Sequence, residues 1–225
     1  MQIGIISDVH GNLAALDAIL EVFEEKNIEK IVCLGDMIGY FHQSIEVLDR
    51  LMDLDIDAIC GNHEAYLLGS LTYAQERAEI YNLEYVKQSI SSKALHWLSS
   101  LPSSLILSFN NKKISFYHGS PWNPLEDYIY PDYPDFEKFR SMDSDIICLG
   151  HTHYPLYKKI GNTIVMNPGS VGLPRNGTEM AHAAIINFES DIEFIQKRYD
   201  IEAFRVSALA NNVHKTTIQR LLSKK

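Results

Sequence analysis

Short apolar runs at Ile3 to Ser7, Lys30 to Leu34 and Asp57 to Cys60 alternate with segments whose apolar positions recur at helical spacing. Leu13, Leu16, Leu20 and Phe23 step by 3, 4 and 3 residues behind Asn12, a residue type whose side chain caps helix N-termini well. Behind Ser44, the residues Ile45, Leu48, Leu51 and Met52 fall on one face of a second helix. The pattern predicts a βαβαβ start. Parallel strands of this kind are buried on both faces, and the loops at their C-terminal ends are where α/β proteins keep their chemistry.

From Glu64 to Leu101 the pattern stays mostly helical, with Leu67, Leu71, Leu83, Val86, Ile90, Leu95 and Leu98 apolar and Pro102 closing the region. Hairpins follow. Leu105 to Phe109 and Lys113 to Tyr117 flank Asn110 and Asn111; Leu156 to Ile160 and Thr163 to Asn167 flank Gly161 and Asn162. Ala183 to Phe188 and Glu193 to Arg198 form a last pair meeting at Ser190 and Asp191, and one or two amphipathic helices come after Asp200. Strands and helices in both halves predict an α/β fold of two facing mixed β-sheets flanked by helices. No repeat or linker divides residues 1–225, so we expect one domain. Pro121 to Pro134, with four prolines, Trp122 and three tyrosines, is expected to be an ordered loop near His118, either structural or serving to stack a base or close as a lid.

Composition narrows the setting. No stretch approaches the roughly 18 apolar residues of a membrane helix, and Met1 to Ser7 is too short for a secretion signal, so we expect a soluble protein without a membrane partner. Cys33, Cys60 and Cys148 each stand in an apolar segment before a glycine and lack CxxC spacing, which predicts reduced structural thiols and a cytoplasmic location. The net charge of −9 disfavours a long nucleic-acid footprint, because phosphate backbones are bound mainly through Lys and Arg. Two bound dications would bring the charge to −9 + 4 = −5 with the positive charge concentrated at one site, so a small phosphorylated substrate stays compatible.

The chemistry collects at strand ends. Asp8-Val9-His10 follows the first strand, where alternation predicts that Asp8 and His10 point to one side. Gly35-Asp36 follows the second, Gly61-Asn62-His63 the third, and His118 and Gly150-His151-Thr152-His153 come from the second half. Two carboxylates, an amide oxygen and several imidazoles are the inventory of a two-metal hydrolytic centre, in which a carboxylate such as Asp36 bridges ions roughly 3.5 to 4 Å apart.

The motifs DxH, GDxxG, GNH followed by an acid, a lone HG, and GHTH, in that order from Asp8 to about Arg175, resemble the calcineurin-like metallophosphoesterases and within them the small bacterial and archaeal phosphodiesterases. The resemblance implies the sandwich fold predicted above. It implies that Asp8, His10, Asp36 and His153 hold one divalent metal and Asp36, Asn62, His118 and His151 a second, with manganese first and iron, zinc, cobalt or nickel suited to the same donors. It further implies attack by a metal-activated hydroxide on a small phosphodiester or nucleotide, dinucleoside polyphosphates included, with His63 as general acid and Glu64 orienting its ring. The segment Asn167 to Arg175 resembles one in the small phosphodiesterases: either its glycine-rich backbone approaches phosphate and Arg175 binds it, or it is a tight turn with a surface arginine; Tyr40 is a separate candidate for binding substrate.

Two alternatives stay open. A Ser/Thr protein phosphatase usually reads GDYVDRG and RGNHE, whereas Gly39-Tyr40 follows the second motif here and Cys60 precedes Gly61. A non-catalytic scaffold on the same fold can lose ligands or the acid histidine, and here all are present. His42 reads as a surface-loop residue or a pocket residue, His96, His182 and His214 as ordinary packed or exposed side chains, and Lys224 and Lys225 as a solvated tail.

Overall fold

The computed structural model describes residues 2–189 and 191–222. Ser190 of the last predicted turn and the Lys224-Lys225 tail therefore lie outside the described residues. The βαβαβ start forms as expected: β1 (Gln2–Ile6), α1 (Leu13–Glu25), β2 (Lys30–Cys33), α2 (Ser44–Asp53) and β3 (Asp57–Ala58), with β1, β2 and β3 parallel. Asn12 caps α1, its side chain accepting from the Ala15 amide. β3 is shorter than the apolar run: the Ile59 amide still bonds Cys33 of β2, but the Cys60 amide bonds Pro102 instead.

The helical stretch is divided into α3 (Asn62–Leu67), a 3₁₀ turn (Gln75–Arg77), α4 (Ala78–Tyr81), α5 (Leu83–Ser89) and α6 (Ser92–Ser100). Asn82, left-handed at φ 55°, separates α4 from α5. The hairpins follow as predicted: β4 (Ser104–Phe109) with β5 (Lys112–Tyr117), β7 (Leu156–Ile160) with β8 (Thr163–Asn167), and β9 (Ala181–Asn187) with β10 (Ile192–Lys197). Asn110 and Asn111 are both left-handed, as a two-residue hairpin turn requires. The pattern missed β6 (Ile146–Cys148), three residues paired in parallel with β5 and β8. The chain closes with α7 (Ile201–Ala210) and α8 (Lys215–Leu221), and no described helix is long and apolar enough to cross a membrane.

Two five-stranded sheets result, ordered β10-β9-β1-β2-β3 and β4-β5-β6-β8-β7. Strand alternation builds the layer between them, where Ile3, Ile5, Val32 and Ile186 meet Ile114, Phe116, Cys148 and Met166. Ile6, Cys33 and Ile185, on the other face of the first sheet, pack against Leu16, Ile19 and Phe23 of α1 and Val47 and Leu51 of α2. Each such fully buried large side chain contributes about 1.5–3 kcal/mol. Parallel β1, β2 and β3 end together, as do β5 and β6, and all five predicted motifs follow those ends.

Candidate metal centre

The loops after β1 and β2 are tied together before any side chain is considered: the Asp8 amide bonds Gly35 and the His10 amide bonds Asp36. Strand alternation does not bring Asp8 and His10 to one side, since β1 ends at Ile6. Both are left-handed, at φ 55° and 52°, as are Asp36 at 54°, His151 at 65° and His153 at 62°. For non-glycine residues this region is sparsely populated and is held only where the surroundings enforce it, commonly at functional sites. Repeated tight turns thus aim the side chains inward.

The predicted ligands fall into two adjoining groups. In one, Asp8 Oδ1 lies 3.2 Å from His153 Nε2 and 3.8 Å from His10 Nε2, and the two imidazole nitrogens are 3.2 Å apart. In the other, His118 Nε2 lies 3.4 Å from Asp36 Oδ2, 3.1 Å from His151 Nδ1 and 2.9 Å from Asn62 Oδ1. Asp36 joins them, its Oδ2 standing 3.7 Å from His10 Nε2. Asp8, His10, His63 and His118 are among the most buried polar residues of the chain.

Neighbouring groups aim these atoms. The Nδ1 atoms of His10, His118 and His153 face the carbonyl oxygens of Ile38, Leu34 and Leu173, which hold Nδ1 protonated and aim each Nε2 at the centre. Asp8 Oδ2 accepts from Ser7 Oγ and the His151 amide, while Asp36 Oδ1 accepts from the His63 amide. The remaining oxygen of Asp8 is buried without a hydrogen-bond partner, and so are His63 Nδ1 and His151 Nε2. Buried polar atoms are seldom left so, and imidazole nitrogens 3.1–3.2 Å apart repel unless a proton or cation lies between them. The donor set fits divalent metal ions.

Electrostatics agree with that fit. Burial holds His10 and His153 below the ordinary imidazole range and pushes His151 down to about 3, which favours the neutral form that ligates a metal. His118 goes the other way: burial opposes its charge, but the Asp36 carboxylate raises it to about 9. Burial likewise opposes ionisation of Asp8 and Asp36, yet facing imidazoles, His153 for Asp8 and His118 for Asp36, keep both below the usual carboxylate range. A metal ion entering the second group therefore displaces a proton from His118.

His63 stands at the edge of the centre, its ring 4.8 Å from that of His10, 4.9 Å from Tyr40 and 4.6 Å from Tyr81. Burial pushes it down to about 4, against the raising effect of Asp36. Glu64 does not orient this ring. Its carboxylate instead accepts from the amides of Asp36, Met37, Ile38 and Gly61, bracing the loop that carries Asp36. Burial and the Asp36 charge raise Glu64 to about 7, while its amide donors favour the ionised form.

The glycine-rich segment also differs from expectation. Rather than offering backbone to phosphate, it packs on the first loop: Val171 and Gly172 amides bond Ser7 and Asp8 carbonyls, and Ser170 Oγ donates to the Asp8 carbonyl. A Cβ at Gly172 would fall 1.8 Å from the Val9 oxygen, so only glycine permits the contact. Arg175, at the segment's end, does reach the mouth of the centre, donating to the Tyr40 hydroxyl at 3.4 Å, and Tyr40 meets the His10 ring edge-on at 4.6 Å. His42 is neither a surface residue nor part of this mouth; it is buried, stacks on Phe204 and bonds Ser207. Trp122 packs on Phe139 and under Lys138.

Sequence reasoning missed Tyr128, whose ring lies 4.0 Å from that of His151. The tyrosine-rich loop near His118 carries the signal, with Tyr128 one of its three tyrosines. Tyr40, Tyr81, Tyr128 and Arg175 border one cavity of about 370 Å³ beside the centre. The cysteine thiols are buried, unpaired and pushed up by burial, outside the ligand groups.

A model of the calcineurin-like phosphoesterase superfamily domain matches residues 1–191. A Methanocaldococcus jannaschii protein of uncharacterised function, MJ0912, is 34% identical, covering 98% of this chain and 97% of its own. Phosphodiesterase YfcE of Escherichia coli K12 is 22% identical over 83% of this chain and 88% of its own. The crystal structure of a metallophosphoesterase from Sphaerobacter thermophilus superposes with a TM-score of 0.86 at 27% identity, covering 100% of this chain and 99% of that one. With the motifs converging at one set of strand ends and the family model spanning most of its length, the chain belongs to the calcineurin-like phosphoesterase superfamily and is a metal-dependent phosphoester hydrolase.

Proposed function

We propose that the protein hydrolyses small phosphodiesters, nucleotides and dinucleoside polyphosphates among them, at a dinuclear centre with manganese as its first metal. One ion would be held by Asp8, His10, Asp36 and His153, the other by Asp36, Asn62, His118 and His151. The observation that carries this reading is the position of Asp36, whose Oδ2 faces His10 of one group and His118 of the other. Similarity to a protein named as a phosphodiesterase supports the diester preference. When bound, two divalent ions supply the charge that draws in phosphoryl oxygens and the acidity that provides an attacking hydroxide near neutral pH.

The chain's own groups do the rest. Arg175, steadied by the Tyr40 hydroxyl, binds a non-bridging phosphoryl oxygen. His63 protonates the leaving oxygen; a phosphoryl anion beside the ring opposes the effect of burial and raises its pKa toward neutrality. The buried setting keeps bulk water from these groups. We further read residues 1–225 as one domain working in a reducing cytoplasm; packing of Phe204 and Ile218 against Tyr40, Phe41 and Leu173 supports the first statement and the three unpaired cysteines the second.

The test is hydrolysis of bis-p-nitrophenyl phosphate and p-nitrophenyl phosphate after loading with manganese, iron, zinc, cobalt or nickel. Faster turnover of the diester, lost on chelation, is expected. Faster turnover of the monoester would transfer the protein to the phosphomonoesterase reading, and silence toward both substrates with every metal would end the catalytic proposal.

A further inference from the structure

Beside the centre, the 370 Å³ cavity draws three arginines from three distant parts of the chain: Arg77 at the end of the 3₁₀ turn, Arg175 after the glycine-rich segment, and Arg220 in the last turn of α8. The volume lies within the roughly 300–1,000 Å³ of small-molecule sites. A chain of net charge −9 with only 20 Lys and Arg has little reason to gather three guanidinium groups around one cavity unless it binds anions. Neither Arg77 nor Arg175 has a carboxylate partner among the described residues. Arg220 comes from beyond the 191 residues matched by the family model, so this chain's C-terminal helix contributes to the cavity.

The rest of the lining is aromatic. Tyr40 and Tyr81 stand together with ring centroids 5.4 Å apart, and Tyr128 and Tyr154 border the same space. Tyr40 and Tyr128 also touch the centre itself, through His10 at 4.6 Å and His151 at 4.0 Å. A ligand held over the centre therefore runs straight into the cavity. Tyr128 is half-exposed and Tyr81 and Tyr154 are partly so, which offers ring faces to a planar base, while Tyr40 is buried; guanidinium forks match phosphate oxygens.

We infer that the cavity is a second subsite for a nucleoside carrying two or more linked phosphates: one phosphate lies at the centre, the next on Arg77, Arg175 and Arg220, and the base against the tyrosines. This rests on the phosphodiesterase reading only in placing the first phosphate at the centre. It selects, within small phosphodiesters, substrates that carry both a phosphoanhydride and an aromatic base, because a plain diester places no second phosphate among the cavity's arginines.

Calorimetric titration of the full, manganese-loaded protein tests this without turnover, using adenosine α,β-methylenediphosphate, which resists cleavage between its phosphorus atoms, alongside methylenediphosphonate and adenosine. The nucleotide analogue should bind at least about tenfold more tightly than methylenediphosphonate, which lacks the base, and about a hundredfold more tightly than adenosine. Arg77→Gln with Arg220→Gln should weaken both phosphonates about tenfold or more while keeping the advantage given by the base; Tyr128→Leu should remove part of that advantage. Arg220→Lys, which keeps the charge but not the fork, should fall between, and circular dichroism of each variant checks that α8 remains folded. An analogue that binds no better than methylenediphosphonate, or a double variant that binds like wild type, overturns the subsite. Aryl diester turnover without this discrimination sinks the subsite alone, whereas discrimination without turnover on any substrate retains the subsite and sinks the catalytic reading.

Discussion

Gly39 and His63 compete for one space: a Cβ at position 39 would lie 2.3 Å from His63 Nδ1. Gly39 is also left-handed, at φ 86°, so alanine there carries about 1–2 kcal/mol of backbone strain besides the clash. We predict that Gly39→Ala moves the His63 ring, and that kcat falls about a hundredfold, the scale at which a misplaced catalytic group is felt. The loss should be greatest for diesters with poor leaving groups, which depend most on protonation, and metal content should match wild type. Equal losses for good and poor leaving groups would remove His63 from the acid role.

Glu64 gives a different kind of prediction, because its carboxylate serves backbone rather than a ring. Glu64→Ala strands buried amides of Asp36, Met37 and Gly61, each of which now bonds it at 2.8 to 2.9 Å. At roughly 1–3 kcal/mol per unsatisfied buried group, the loss should reach about 3 kcal/mol or more. For a chain of this size that lowers Tm by on the order of 6–12 °C. Thermal unfolding of metal-free protein checks this; a Tm within a degree or two of wild type would show that water replaces the carboxylate.

These two residues mark where sequence reading stops. The sandwich, its hairpins and the group of Asp8, His10, Asp36, Asn62, His118, His151 and His153 were legible, because strand period, turn chemistry and motif order are local signals. Glu64 was legible as a neighbour of His63 but not in its role, since its partners Asp36 and Met37 lie 28 and 27 positions away and meet it only through the fold. The left-handed turns at Asp8 and His10 gave only a weak signal: Asp and His enter that conformation more often than most side chains, but far less selectively than glycine. Arg77 and Arg220 gave none, being far apart in the sequence and meeting only at the cavity that the fold builds.

His182 predicts how the metal-free protein responds to acid. It is buried, with its Nε2 bonded to Thr178 Oγ1 at 2.7 Å, and burial pushes its pKa down to about 4 from 6.5. As pH falls below about 6.5 the unfolded chain takes up a proton that the folded chain refuses, so stability is lost between roughly pH 6.5 and pH 4. Above that window the group contributes no pH dependence. Its share is at most about 3–4 kcal/mol, at 1.36 kcal/mol per unit. In urea unfolding at pH 7.5 and pH 5, His182→Gln should lose less stability on acidification than wild type, other histidines cancelling in the comparison. Parallel losses in the two proteins would contradict the assignment.

Asp36→Asn tests the centre as a unit. The substitution keeps the shape of the side chain and its oxygen for the His63 amide, but removes the one charge that faces both His10 and His118. Losing an outer partner of a metal ligand typically weakens binding by about 10–100-fold, and losing a shared anionic ligand should exceed that. Wild-type protein titrated with manganese should therefore bind two ions and gain stability, about 2.7 kcal/mol for each ion at a hundredfold excess over its Kd, or roughly 5–10 °C in Tm per ion. In Asp36→Asn both ions should bind more weakly and the gain should shrink at the same metal concentration. Loss of a single ion would assign Asp36 to one group only, and retention of both with an undiminished Tm gain would remove it from the ligand set.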